Sequence, residues 1–100
     1  MRTAESYEVE RGVPTLTIEL ERGQRMIPWH SFVSGLYEES RIELSFQDWK
    51  LSLEGEQLGQ LWEQFQLQDV RVVRKGDKSQ REEGTCFLTS LDLKFQEETS

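Results

Sequence analysis

The stretch "SGLYEESRIELSFQDWKLSLEG", residues 34–55, decides how the chain is organised. In "RIELSF" Ile42, Leu44 and Phe46 alternate with Glu43 and Ser45; in "WKLSLEG" Trp49, Leu51 and Leu53 alternate with Lys50 and Ser52. Strand side chains project to opposite faces with period two, so each segment reads as a strand with one face buried. "EESR" turns the chain before the first segment, and "QD" is a tight connection between the two. With "SGLYEE" as the preceding strand, the spacing predicts a three-strand meander over about 34–54.

Working toward the N-terminus, "MIPWHSFVSG" (26–35) places Trp29, Phe32, Val33 and Leu36 at helical spacing. Pro28 suits a first helical position, whereas Gly35 argues against a long helix, so a single turn over 28–32 is expected, followed by the meander. "TLTIELE" (15–21) alternates strictly, with Leu16, Ile18 and Leu20 inward, and "ERGQR" reads as a turn around Gly23. Residues 1–12 are expected to be loosely ordered, although Tyr7 and Val9 alternate as in a short edge strand.

Toward the C-terminus the period changes. In "EQLGQLWEQFQL" (56–67) Leu58, Leu61, Trp62 and Phe65 form one helical face, with Glu56 in the first turn favoured by the helix dipole. Gly59 costs helix stability and is expected to allow close approach to the sheet. "QDVRVVR" is then a strand, "KGDKSQREEG" a charged loop and "TCFLTSLDLKF" a closing strand, with Phe87, Leu91, Leu93 and Phe95 in the inward phase and Leu88 off-phase on the outer face. The last five residues read as a frayed tail. The whole reads as one α+β domain over 1–100: a twisted, mainly antiparallel sheet of about six strands with one principal amphipathic helix on one face. A partly rolled β-barrel capped by that helix is the alternative.

Composition narrows the function. Nineteen acidic against twelve basic residues give a net charge of −7, which disfavours nucleic acid and anionic membranes. No apolar run is long enough to span a bilayer and residues 1–12 hold no apolar secretory core, so a cytoplasmic protein is expected. The one cysteine, Cys86, has no partner for an internal disulfide. The charge is uneven: Arg71, Arg74, Lys75, Lys78 and Arg81 against Asp77 make residues 70–81 locally +4, leaving −11 on the rest.

Candidate chemistry is sparse. Histidine is a common general acid or base, yet no nucleophile motif surrounds His30, and an ordinary histidine at an element boundary is the favoured reading. One histidine and one cysteine do not make a zinc set, and no calcium loop, phosphate loop or dinucleotide motif occurs; no catalytic, cofactor or metal residue is assigned. Trp49 and Trp62 fall in core phases, which leaves Trp29 as the tryptophan expected to be partly exposed. The basic corner reads either as a solubilising hairpin tip or as a docking site for an acidic partner. Val33, Tyr37, Val73 and Leu88 fall out of phase and would form an apolar patch if they adjoined on the outer sheet face.

These readings converge on a non-catalytic protein-interaction or accessory domain. It would self-associate or bind a protein partner through the exposed sheet face and the 70–81 hairpin, using Arg71, Arg74, Lys75, Lys78, Arg81, Trp29 and Tyr37. One alternative is a small ligand-binding protein or enzyme with His30 in a pocket near Trp29 and Phe32. A second is an acidic neutraliser of the immunity or antitoxin type, facing a basic partner.

Overall fold

The computed structural model describes residues 6–76 and 86–95. It contains strands β1 (Tyr7–Val9), β2 (Thr15–Leu20), β3 (Gly23–Pro28), β4 (Phe32–Glu38), β5 (Arg41–Phe46), β6 (Trp49–Glu56), β7 (Val70–Val73) and β8 (Phe87–Phe95), with one helix, α1 (Leu58–Gln66). The class is α+β, but the strands form two four-stranded sheets rather than one of six: β1-β7-β2-β3 and β4-β5-β6-β8. Neither closes into a barrel among the described residues. All pairings are antiparallel except β2 with β7.

The meander is there as β4, β5 and β6, and β8 extends it on the far side of β6. Ile42, Leu44 and Phe46 lie opposite Leu53, Leu51 and the β4 residue Phe32, and the four meander residues Ile42, Leu44, Leu51 and Leu53 are fully buried. Burying each such side chain contributes roughly 1.5–3 kcal/mol, which favours the strand conformation that this alternation encodes.

Two strands escape the periodicity. β3 is an edge strand in which only Ile27 is buried, so it carries almost no hydrophobic signal; what reads as a turn around Gly23 is the start of this strand. β1 is three residues long, pairs with β7, and orders part of the segment expected to be loose. Residues 1–5 and 96–100, also expected to be loose, lie outside the described residues.

The division into two sheets happens at "PWHSF". Pro28 ends β3, Trp29–Ser31 makes a single 3-10 turn, and Phe32 opens β4 in the other sheet. The Trp29 N–H donates to the Pro14 carbonyl (2.9 Å) and the Gln47 N–H donates to the Ser31 carbonyl (2.9 Å), so the turn is tied to both sheets. The Ser31 hydroxyl donates to the Pro28 carbonyl at 2.8 Å, which closes the turn on itself.

α1 begins directly after β6, with Gln57 in the left-handed region at φ 55°. Glu56 therefore ends a strand and does not occupy the first helical turn. Leu58, Leu61 and Phe65 are buried, and Trp62 stacks on Tyr37 with ring centroids 5.5 Å apart. The close approach of helix and sheet occurs at Gly35, not Gly59. A Cβ on Gly35 would lie 3.3 Å from the Trp62 ring, whereas one on Gly59 would meet only the Tyr37 hydroxyl at 3.7 Å, an ordinary contact.

β8 departs from simple alternation. Glu54 faces Ser90 but Gly55 faces Leu88, so Thr89 is an extra residue in a bulge. The shift swings Leu88 into the core at 0 % exposure, correcting its expected place on the outer face. A Cβ at Gly55 would sit 2.0 Å from the Phe87 carbonyl oxygen, so the bulge requires glycine there. Two hydrogen bonds then join the sheets, the Leu88 N–H to Ser6 Oγ (3.0 Å) and the Gly76 N–H to the Leu88 carbonyl (2.8 Å), while the Arg74 N–H to the Ser6 carbonyl (2.8 Å) continues the β1–β7 pairing. One core cluster spans both sheets and the helix.

Candidate functional site

Two cations of the basic corner, Arg71 and Arg74, are paired within the fold. Glu8 on β1 lies beside Val72, between Arg71 and Arg74, and forms ion pairs with both; its contact with Arg74 is 2.7 Å. Arg71 also approaches Glu10 (3.5 Å) and Arg74 approaches Glu19 on β2 (3.3 Å). The Arg74 hydrogen bond, reinforced by the charges of Arg74 and Arg71, holds the Glu8 carboxyl below its ordinary value. Of the five expected docking cations, Arg71 and Arg74 thus serve the fold, Lys75 is exposed, and Lys78 and Arg81 lie outside the described residues. The acids that answer the arginines are up to 66 residues away in sequence, and the pairing of β7 with β1 and with β2 brings them in.

Trp29 is the reverse of the expectation. It is 4 % exposed, its Nε1–H donates to the Val70 carbonyl at 3.0 Å, and its ring meets Phe32, Phe46 and Phe65 at centroid distances of 5.9, 5.9 and 6.1 Å. These aromatic rings fill the space beside the turn, so Trp29 and Phe32 pack a core instead of walling a pocket. His30 projects to solvent between buried Trp29 and buried Ser31. Cys86 is buried, and desolvation pushes its thiol up to about 12, so it is held as the neutral thiol at physiological pH. Among the described residues no group of three His, Cys, Asp or Glu side chains is placed to hold a metal ion.

The outer apolar patch does not form as expected, because Val73 and Leu88 are both fully buried. The outward phase of the second sheet carries Ser34, Ser45, Ser52 and Ser90 with Glu43, Lys50, Asp92 and Lys94, and Glu43 pairs with Arg41 and, at 3.6 Å, with Lys50. That is a polar face. Exposed apolar side chains lie on the edge strands, Val33 and Leu36 on β4 with Tyr37 beside them, Val9 on β1, Met26 on β3 and Phe95 on β8, and also at Leu20 on β2 and Leu67 after α1. Val33 occupies the irregularity between Phe32 and Ser34 in the β4–β5 register, which turns its side chain out of the core.

β8 presents the other edge of this sheet. Phe95 is 61 % exposed and stacks edge-on with Trp49 (5.2 Å), whose ring is covered by the Arg25 guanidinium at 4.1 Å. Leu91 and Leu93 are only partly buried and, with Leu20, Glu19, Arg74 and Lys75, help to line an open groove of about 480 Å³ between the end of β2 and β8.

The fold and its surface define a two-sheet α+β domain with exposed strand edges and an internally paired charge corner. No helix among the described residues is long and apolar enough to cross a membrane. Compared with known proteins, the chain matches no family model, no curated protein and no solved structure.

Proposed function

We propose that this chain is a non-catalytic, cytoplasmic protein-interaction or accessory domain, and that it engages its partner through the strand edges of the second sheet. The observation that carries this reading is the placement of Leu36 and Val33 on β4 and Phe95 on β8, exposed apolar side chains on strands that end a sheet. Edge strands with free N–H and C=O groups are templates for further pairing, and folded domains normally blunt them when no partner exists. The basic corner plays a lesser part than its sequence suggests, since Arg71 and Arg74 are already paired.

A photoreactive side chain placed in living cells at Leu36 or, in a second variant, at Phe95 tests this, with the exposed helix position Glu63 as control. The reading expects an adduct of defined mass from at least one of the two edge positions and none from Glu63. No adduct from either Leu36 or Phe95, or equal labelling at Glu63, overturns it. A mass of twice the chain would indicate a second copy, and any other mass a different protein.

A further inference from the structure

We infer that β8 is the contact through which two copies of this chain associate, pairing antiparallel about Leu93; this rests on the interaction reading above and names the partner. The strand has two halves. Its first residues are already engaged, Leu88 by Ser6 and Gly76. From Ser90 to Phe95 it pairs regularly with β6 on one side, and among the described residues no strand pairs with its other side. This half holds no proline, glycine or bulge. Proline or an irregular register marks other edges here: β3 ends in Pro28, and the β4–β5 register shifts between Phe32 and Ser34.

The sequence "SLDLKF" complements itself. With two antiparallel copies centred on Leu93, Asp92 of each faces Lys94 of the other, Leu93 faces Leu93, and Leu91 faces Phe95. Both charge pairs fall on the polar outer face, where Asp92 and Lys94 are 56 % and 77 % exposed and approach each other at 3.8 Å within one strand. The apolar pairs fall on the inner face, where Leu91, Leu93 and Phe95 are incompletely covered. Register is specified as well. Sliding by two residues sets Asp92 against Asp92 or Lys94 against Lys94, and sliding by one exchanges the polar and apolar faces. The two second sheets would then run on as one sheet of eight strands, and each copy would cover the other's open edge.

Sedimentation equilibrium of the full chain tests the proposal, with circular dichroism to verify folding. The expected result is a concentration-dependent dimer, weakened about tenfold by D92K or by K94D, because two opposite-charge pairs become two like-charge pairs. In the D92K/K94D double variant the charges again oppose, and dimerisation returns toward its original strength. Both positions are exposed, so folding is expected to survive the changes. A chain that stays monomeric, a dimer indifferent to the single substitutions, or a double variant no better than the singles overturns the proposal. A monomer that still yields a heterologous adduct from Leu36 removes β8 self-pairing and leaves the interaction reading standing.

Discussion

The two halves of β8 are built from similar residues and have opposite surroundings. At Cys86–Leu88 every side chain is buried, the backbone is held by β1 and by the end of β7, and Gly55 leaves room for the strand to bulge inward. Five residues on, Leu93 and Phe95 follow the same apolar alternation yet remain partly open to solvent. Alternation alone therefore does not state burial. What separates the halves is the first sheet, which hydrogen-bonds to one end of the strand and leaves an open groove beside the other.

Substitutions along the strand can break that contrast. The largest effect is expected from Leu88→Ala, which empties a fully buried position and should cost about 2–5 kcal/mol in urea unfolding. Leu93→Ala, on the half-open end, should cost clearly less; equal losses would mean that the two ends are equally packed. Ser6→Ala comes next. It leaves the buried Leu88 N–H without its acceptor, at an expected cost of about 1–3 kcal/mol, and amide hydrogen exchange at Leu88 should quicken selectively.

The smallest effect concerns acid. Because the folded state holds the Glu8 carboxyl below its ordinary value near 4.5, its pairing contributes stability above that value and loses it as the pH falls through the depressed folded value. For a partly exposed cluster the contribution should be under about 1 kcal/mol. Glu8→Gln should abolish this part of the acid dependence, measured as unfolding midpoints across pH 3–7, a range that brackets the carboxylate titration. An unchanged profile would show that the basic corner does not depend on Glu8.

Where one face of an element is fully buried, the sequence can be read directly. The meander and α1 are legible because Ile42, Leu44, Leu51, Leu53, Leu58, Leu61 and Phe65 each follow a single period and each meets the core. β3 is not legible, because an edge strand with one buried residue shows no period. The inward turn of Leu88 depends on a one-residue bulge opposite Gly55, and a pattern of period two has no mark for it. Trp29 stands at a helical spacing that also suits an exposed turn; its burial follows from Phe46, Phe65 and the Val70 carbonyl, all on distant elements. The surroundings of the candidate site residues are illegible for the same reason. Arg71 and Arg74 look free until β1 arrives with Glu8, and Val33, Leu36 and Phe95 belong to edges that only the strand order identifies.

The parallel pairing of β2 with β7 has a consequence for how the chain reaches this state. β2–β3 and the β4-β5-β6 meander are neighbours in sequence and close short loops, whereas the middle of the first sheet waits for β7, more than fifty residues after β2. On a ribosome, β1 and β2 emerge well before the strand that lies between them. The hairpins can form early, while the first sheet remains a split half-layer exposing Leu16 and Ile18 until α1 has folded and β7 slides in. The late step in folding is then the insertion of a central strand, and Val70, Val72 and Val73 are the residues whose truncation should slow it most.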